Sequence, residues 1–201
     1  MSFRQNRSLG EPLWLDLGTG RPAALPEPVY QWLSDAASLT RRVTAACRGH
    51  FRVRVVSQAW GTAYNSEREL LGLGPRAACL VREVELLCDE VPQIFARTLM
   101  PASSLTGAAR RLARLRDRPL GAVLFADPHT RRERVQVARF LPRHRLFGVA
   151  TEHLQDAPKA VWGRRTLFRY AGKPILVNEL FLPALLEKGV RIPSLPGGGV
   201  G

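Results

Sequence analysis

Two stretches of the sequence alternate in the manner of β-strands, yet each carries one charged residue on its apolar face. Side chains point to alternate faces of a strand, so residues 175, 177, 179 and 181 share a face that reads Ile, Val, Glu and Phe. In 80–88 the corresponding face reads Leu, Arg, Val, Leu and Cys. Burying a lone charge costs on the order of several kcal/mol. We therefore predict that Arg82 and Glu179 lie in the interior with partners.

The partners of this interior pair can be of two kinds. The planar guanidinium of Arg82 suits a carboxylate bound in bidentate geometry. An ionised Glu179 only accepts hydrogen bonds, so it suits a hydroxyl. A small molecule with a carboxylate at one end and a hydroxyl at the other would fit between them, whereas a direct ion pair is the alternative. The residue pattern leaves both open, and Arg97 is a third candidate that would support either arrangement.

The charge of the chain bears on which partners it can have. A length of 201 residues suits one well-buried domain. The net charge is +13, and only three of the 30 cationic residues are lysines. A positive field can attract small anions or nucleic acid, although an arginine-rich solvated surface would have the same composition. Because the chain has no RNP-like motif and no zinc-finger spacing, no nucleic-acid partner is predicted.

Motifs for cofactors, metals and covalent catalysis are missing from the sequence. No dinucleotide-binding glycine motif opens a helix after a strand, and no P-loop is present. The four histidines are scattered without metal-like spacing, and Ser103 and Ser104 lack the surroundings of a nucleophile elbow. We therefore predict neither an organic cofactor nor a metal.

The ends and the cysteines indicate the compartment. The N-terminus has no unbroken apolar run typical of a signal peptide, and no stretch approaches the roughly 20 apolar residues of a membrane span. We therefore expect a cytoplasmic protein without a membrane span. Cys47, Cys79 and Cys88 lack tight spacing, so we predict reduced, structural thiols.

Hydrophobic periodicity predicts an α+β fold, in which helices cover one side of a single antiparallel sheet. Predicted strands are 51–55, 78–88, 93–100, 130–140, 166–170 and 175–182. Predicted helices are 28–35, 38–47, 104–116 and 119–125, and 67–73 is predicted to form one or two helical turns. We expect an irregular N-terminal arm at 1–27, one domain at 28–184 and a flexible tail at 185–201, which ends in Gly-rich sequence.

Four blocks of the sequence occur in an order and spacing that a known family shares. Two are long: WGRRTLFRYAGKPILVNELFLP at 162–183 and LVREVELLCDEVPQIFARTLMP at 80–101. The other two are PLGAVLF at 119–125 and the stretch 32–42, which begins WL and ends SLTRR. Over roughly 28–183 the chain resembles the bacterial chorismate lyases. Each block alone is weak, and the combination is specific.

The resemblance implies an activity and an architecture. Chorismate lyases convert chorismate to 4-hydroxybenzoate and pyruvate, the first committed step of ubiquinone biosynthesis, without a metal or organic cofactor. Their antiparallel sheet carries helical flaps that close over a buried site, here expected at 29–47 and 104–121. Because lid opening often limits turnover, we expect slow release of 4-hydroxybenzoate and product inhibition. The family is typically monomeric, and its substrate is a small molecule.

The resemblance also implies roles for individual residues. Arg82 matches the arginine that binds the product carboxylate, and Leu120 matches the residue whose backbone N–H meets the same carboxylate. Glu179 matches the glutamate at the ring hydroxyl, which would orient the hydroxyl and could accept a proton. Leu39 falls where a flap residue lines the pocket. Arg97 is our candidate for the carboxylate of the enolpyruvyl group.

Two other functions compete with the lyase. The effector domains of one large class of bacterial transcription regulators are similar in fold to chorismate lyases, so a non-catalytic ligand-binding domain is the first alternative. Against it, residues 1–27 leave no room for a winged helix-turn-helix segment. A basic nucleic-acid-binding protein is the second alternative, and the missing motifs disfavour it.

Overall fold

The computed structural model describes residues 10–35 and 37–187. Within them, seven strands form one antiparallel sheet in the order β1-β5-β6-β7-β4-β3-β2. The strands are β1 (Leu15–Asp16), β2 (Phe51–Thr62), β3 (Ala78–Cys88), β4 (Val91–Pro101), β5 (Arg131–Phe140), β6 (Val161–Tyr170) and β7 (Lys173–Phe181). The predicted α+β fold with a single antiparallel sheet is confirmed.

Helices lie on both faces of this sheet. They are α1 (Glu27–Leu33), α2 (Leu39–Ala46), α3 (Asn65–Leu71), α4 (Leu120–Leu124), α5 (Arg145–Thr151) and α6 (Pro183–Glu187). Short 3-10 segments occur at Leu17–Thr19, Ala102–Ser104 and Gly107–Arg114. We call the face that carries Arg82 and Glu179 the front, and the face that carries Arg97 and Asn178 the back.

The front is covered by α1, α2 and α4. Leu39 and Val43 stand one helical turn apart on α2, so both point to the sheet, where they join a core cluster with Val84 and Leu86. Leu124 of α4 joins a second front cluster. Each such side chain contributes roughly 1.5–3 kcal/mol when fully buried.

The back is covered by α3 and α5, so the prediction that helices cover one side only was wrong. Leu71 of α3 packs with Leu99 and Leu176, while Phe147 of α5 packs in a cluster with Leu180. The physical reason lies in β4 and β7, whose residues are apolar on both faces over most of their length. Strands of that kind need cover on each side.

Part of the expected N-terminal arm is tied to the sheet. Residues 1–9 lie outside the described part of the chain. Leu15 pairs with Val137 of β5, and the ring centroid of Trp14 lies 5.5 Å from that of Phe140. The expected tail at 185–201 overlaps α6, and residues 188–201 are not described. The predicted helix at 104–116 is largely a 3-10 segment.

The cysteines depart from the prediction of three reduced thiols. Cys47, at the end of α2, forms a disulfide with Cys88, the last residue of β3. The two residues are 41 apart in sequence, and only the folded chain brings the end of the helix to the end of the strand. Cys79 is free and buried, as expected.

Candidate active site

A cavity lies between the front of the sheet and the helices α2 and α4. The space between its walls, with the open mouth included, is about 600 Å³. The walls are mainly apolar and include Leu39, Val84, Ile94, Leu120, Phe125 and Phe168. Four charged side chains also line it: Arg82, Arg132, Arg164 and Glu179. The cavity therefore combines apolar walls with a few charged groups.

Arg82 lies at one end of the cavity and is 1% exposed. It points to the front because β3 alternates regularly from residue 78 to 86. Its Nη2 donates to the carbonyl oxygens of Arg116 and Arg118, at 2.6 and 3.3 Å. Its Nε has no hydrogen-bond partner. Burial lowers the pKa of the Arg82 guanidinium, and the nearby charge of Asp117 opposes this shift.

Glu179 lies on β7, directly opposite Arg164 of β6. Its Oε2 accepts hydrogen bonds from Nε and Nη2 of Arg164, at 2.8 and 2.7 Å. Within the described chain no hydrogen bond uses Oε1, so this atom is available to a ligand. The Nη1 of Arg164 donates to the carbonyl oxygens of Leu33 and Asp35, so all three of its nitrogens are engaged. The ion pair thus fixes the orientation of Glu179.

Arg82 and Glu179 do not form the direct ion pair that the sequence left open. In the register of the sheet, Arg82 faces Thr98 of β4, and Glu179 faces Ala96 on the other side of the same strand. Standard strand spacing and rise therefore place their Cα atoms about 12 Å apart. Each instead uses other partners and keeps donors or acceptors for a molecule between them.

Arg132 also lines the cavity, and the sequence reasoning missed it. Residues that face front on β5 are Val135 and Val137, so strict alternation would place residue 132 on the back. A β-bulge at Glu133 inserts one extra residue and returns Arg132 to the front, opposite Phe168. No simple periodicity in the sequence reveals such a bulge.

The partners of Arg132 are neutral. Its Nη1 and Nη2 donate to the carbonyl oxygens of Asp35 and Ala37, at 3.0 and 2.9 Å. Its guanidinium carbon lies 5.2 and 5.5 Å from the ring centroids of Phe125 and Phe168. Burial lowers the pKa of Arg132, as does the like charge of Arg164. Its Nε has no partner.

Leu39 and Leu120 both line the cavity from the covering layer. Leu39 is the first residue of α2 and is buried. Leu120 is the first residue of α4, which follows Pro119. The N–H of the first residue of a helix has no acceptor within the helix, so the N–H of Leu120 can donate to an anion.

Arg97 lies on the back of the sheet, away from the cavity. It donates from Nε to Glu67 at 3.2 Å and from Nη1 to Glu83 at 2.8 Å. Its guanidinium carbon lies 4.4 Å from the ring centroid of Tyr64. Although burial acts to lower the pKa of Arg97, the carboxylates of Glu67 and Glu83 raise it. This position does not allow Arg97 to contact a molecule in the cavity, contrary to its candidate role.

Residues 10–35 and 37–187 contain no group of three His, Cys, Asp or Glu side chains that could hold a metal ion. Over these ranges, none of the helices has the length and apolar character that crossing a membrane requires.

Comparison with known sequences identifies similar proteins. A family model described as chorismate lyase matches residues 9–191. The probable chorismate pyruvate-lyase of Nitrosomonas europaea is 40% identical over 164 residues, which cover 82% of this chain and 92% of that protein. The probable chorismate pyruvate-lyase of Methylococcus capsulatus is 44% identical over 156 residues, which cover 78% of this chain and 95% of that protein.

Comparison with solved structures supports the fold. PhnF from Mycobacterium smegmatis matches with a TM-score of 0.53 and 18% identity, over 76% of this chain and 67% of that chain. At this identity the likeness concerns the fold alone.

Proposed function

The chain belongs to the chorismate lyase family, and we propose that it eliminates pyruvate from chorismate to give 4-hydroxybenzoate. One observation carries the proposal beyond family membership. Arg82 and Glu179 line opposite parts of one apolar cavity, and neither is paired with the other. A ring with a carboxylate at one end and a hydroxyl at the other could place the carboxylate at the N–H donors of Arg82 and the hydroxyl at the acceptor oxygens of Glu179.

The proposed reaction is an elimination that needs no external oxidant. The bond between the ring and the ether oxygen breaks, and its electron pair leaves with the enolpyruvyl group. The neighbouring ring carbon, which bears the hydroxyl, loses its proton, and the new double bond makes the ring aromatic. The enolate that leaves then takes up a proton on carbon to become pyruvate, which balances the proton lost from the ring. Because aromatisation drives the step and no redox change occurs, we propose that the reaction is independent of a cofactor.

Each cavity residue has a proposed task. Arg82 and the backbone N–H of Leu120 bind the ring carboxylate. Glu179, held by Arg164, accepts a hydrogen bond from the ring hydroxyl and takes the ring proton directly or through water. Leu39 and the other apolar walls orient the ring and exclude solvent, so orientation and electrostatics supply most of the rate enhancement.

The covering layer supports a proposal about release. The segments that hold α2 and α4 line the cavity on the side away from the sheet, so their movement would widen the path by which a product leaves. We propose that these segments are flaps and that opening limits turnover. The expected consequence is inhibition by 4-hydroxybenzoate at concentrations near its dissociation constant.

The cellular setting is part of the proposal. The aromatic product is the ring precursor of ubiquinone, so we place the reaction at the first committed step of that pathway. We expect a monomer in the cytoplasm that acts on a small molecule and has no nucleic-acid partner. The Cys47–Cys88 disulfide stands against a reducing compartment, because such bonds are rare there. Mass spectrometry of the protein from gently lysed cells would report its redox state.

Turnover of chorismate tests the proposal directly. Purified protein is incubated with chorismate, and 4-hydroxybenzoate and pyruvate are measured. We expect equal amounts of both products, a loss of about 100-fold or more in kcat for Glu179→Gln, and a loss of at least about 30-fold in kcat/KM for Arg82→Gln. Glu90→Gln, an exposed glutamate in the β3–β4 turn, is the matched control and should retain activity.

Three other outcomes would contradict parts of the proposal. Binding of 4-hydroxybenzoate by wild-type protein without turnover would favour a non-catalytic effector domain. Full activity in both cavity variants would overturn the residue roles but not the family. Salt-sensitive binding of DNA without ligand activity would favour a nucleic-acid-binding protein.

A further inference from the structure

The charges in the cavity do not balance. Among the residues that line it, three arginines stand against one glutamate. Arg164 is neutralised by Glu179. Arg82 and Arg132 both donate to backbone carbonyls instead, and neither forms an ion pair within the described chain. Carbonyl oxygens satisfy hydrogen bonds but leave the charge uncompensated, so the cavity is built to receive more than one negative charge.

Arg132 has N–H groups that are not used in hydrogen bonds to the described residues. A guanidinium carries five N–H groups, and Arg132 uses one on Nη1 and one on Nη2. Its Nε is buried and has no partner. The rings of Phe125 and Phe168, whose planes are 89° apart, both lie close to the guanidinium and hold it at the cavity wall. A carboxylate at this position would meet oriented donors.

The guanidinium of Arg132 lies at the same end of the cavity as Glu179. The carbonyl oxygen of Asp35 accepts from Nη1 of Arg132 at 3.0 Å and from Nη1 of Arg164 at 2.9 Å, so these two nitrogens lie within about 6 Å of each other. Arg164 in turn holds Glu179. Arg82 is anchored elsewhere, to the carbonyl groups of Arg116 and Arg118.

We propose that Arg132 binds the carboxylate of the enolpyruvyl group and so selects dianionic substrates. The inference rests on the proposed function, because it deepens the account of the same site. In chorismate the carbon that bears the enolpyruvyl ether is adjacent to the carbon that bears the hydroxyl. If Glu179 meets the hydroxyl, the second carboxylate must lie near that end, where Arg132 stands and Arg82 does not. Arg132 takes the role that the sequence reasoning gave to Arg97.

The substitution Arg132→Gln separates this role from a structural one. We expect KM for chorismate to rise about 10- to 100-fold, because a charge-assisted contact is lost. The inhibition constant of 4-hydroxybenzoate, which has one carboxylate, should change by less than about threefold. Arg82→Gln should instead weaken both ligands. Arg132→Lys, which retains the charge, should recover part of the loss in KM.

The matched control is Arg134→Gln. Arg134 lies two residues away on the same strand, is exposed and pairs with Asp16, so its replacement should change neither constant. Circular dichroism and thermal melting check that each variant is folded. An unchanged KM in Arg132→Gln would overturn the proposal. Equal weakening of chorismate and 4-hydroxybenzoate would also overturn it, because Arg132 would then only support the flap.

A binding measurement on the folded wild-type protein is independent of turnover and of variant folding. The probe is 4-hydroxybenzoate with a carboxymethoxy group on the carbon next to the hydroxyl, which supplies a second carboxylate. Calorimetry should show at least about tenfold tighter binding than for 4-hydroxybenzoate, an advantage that Arg132→Lys reduces. Equal affinity of the two compounds for wild-type protein would overturn the proposal. Absence of product from chorismate would instead count against the proposed function.

Discussion

Arg82 and Arg97 lie on adjacent strands of one sheet and are almost equally buried, at 1% and 6% exposure, but they point to opposite faces. On the back, Arg97 is bonded to two carboxylates, from Glu67 and Glu83. On the front, Arg82 is bonded only to backbone carbonyls. Burial alone therefore does not distinguish a structural arginine from one that binds a ligand. These two arginines differ in the charge of their hydrogen-bond partners.

The same difference appears in the direction in which the pKa of each side chain is shifted. Burial lowers the pKa of Arg82, because Asp117 offsets only part of the desolvation. The pKa of Arg97 is raised despite its burial, because the carboxylates of Glu67 and Glu83 favour the charged form. The back thus has a compensated cluster that stabilises the fold. The front has cations whose stabilisation depends on an anionic ligand.

The largest expected effect is on the back. Arg97→Met should lower the free energy of unfolding by about 3–5 kcal/mol, because it leaves Glu67 and Glu83 in the interior without their cation. Urea denaturation measures the change. Arg134→Met, which removes an exposed ion pair, serves as the control and should change the free energy by less than about 1 kcal/mol. If both variants lost the same small amount, the back cluster would not be a stabilising element.

An effect of opposite sign is expected on the front. Arg82→Met should raise the free energy of unfolding by about 1–2 kcal/mol, because it removes a desolvated charge that has no carboxylate partner. The same substitution should weaken binding of 4-hydroxybenzoate at least about 30-fold. Urea denaturation and calorimetry on one sample give both numbers. A clear loss of stability would mean that the hydrogen bonds to residues 116 and 118 outweigh desolvation.

The smallest effect concerns a single backbone group at the front. Leu120→Pro removes one N–H at the first position of α4, where proline is tolerated and where residue 119 is already extended. We expect about tenfold weaker binding of 4-hydroxybenzoate, because one hydrogen bond to its carboxylate is lost. Leu120→Ala, which keeps the N–H, should have a smaller effect. Equal losses in the two variants would assign the effect to the side chain.

Sequence alternation predicted the front positions of Arg82 and Glu179 because β3 and β7 are regular on either side of these residues. It missed Arg132 because the bulge at Glu133 reverses the alternation of β5. It did not single out Arg164. This charged residue shares a face with the apolar residues Trp162 and Phe168, and that pattern could have indicated an interior cation.

Other differences between the predictions from the sequence and the structure come from contacts between distant parts of the chain. The Cys47–Cys88 disulfide depends on where α2 ends over the sheet, which spacing along the sequence does not specify. Cover of the back depends on α3 and α5, two seven-residue helices that are too short to give a clear period. The sequence correctly predicted that Arg97 lies on a strand, but the carboxylates that pair with its guanidinium come from α3 and β3.

The strict alternation of β6 and β7 also restricts how this sequence can vary over generations. In each strand a front residue and a back residue are neighbours: Arg164 with Arg165, and Asn178 with Glu179. A one-residue insertion or deletion ahead of either pair would exchange the two faces and move both clusters at once. Substitutions can change one face at a time, whereas length changes cannot. Relatives that keep the activity should therefore differ in length at the turns and not within these strands.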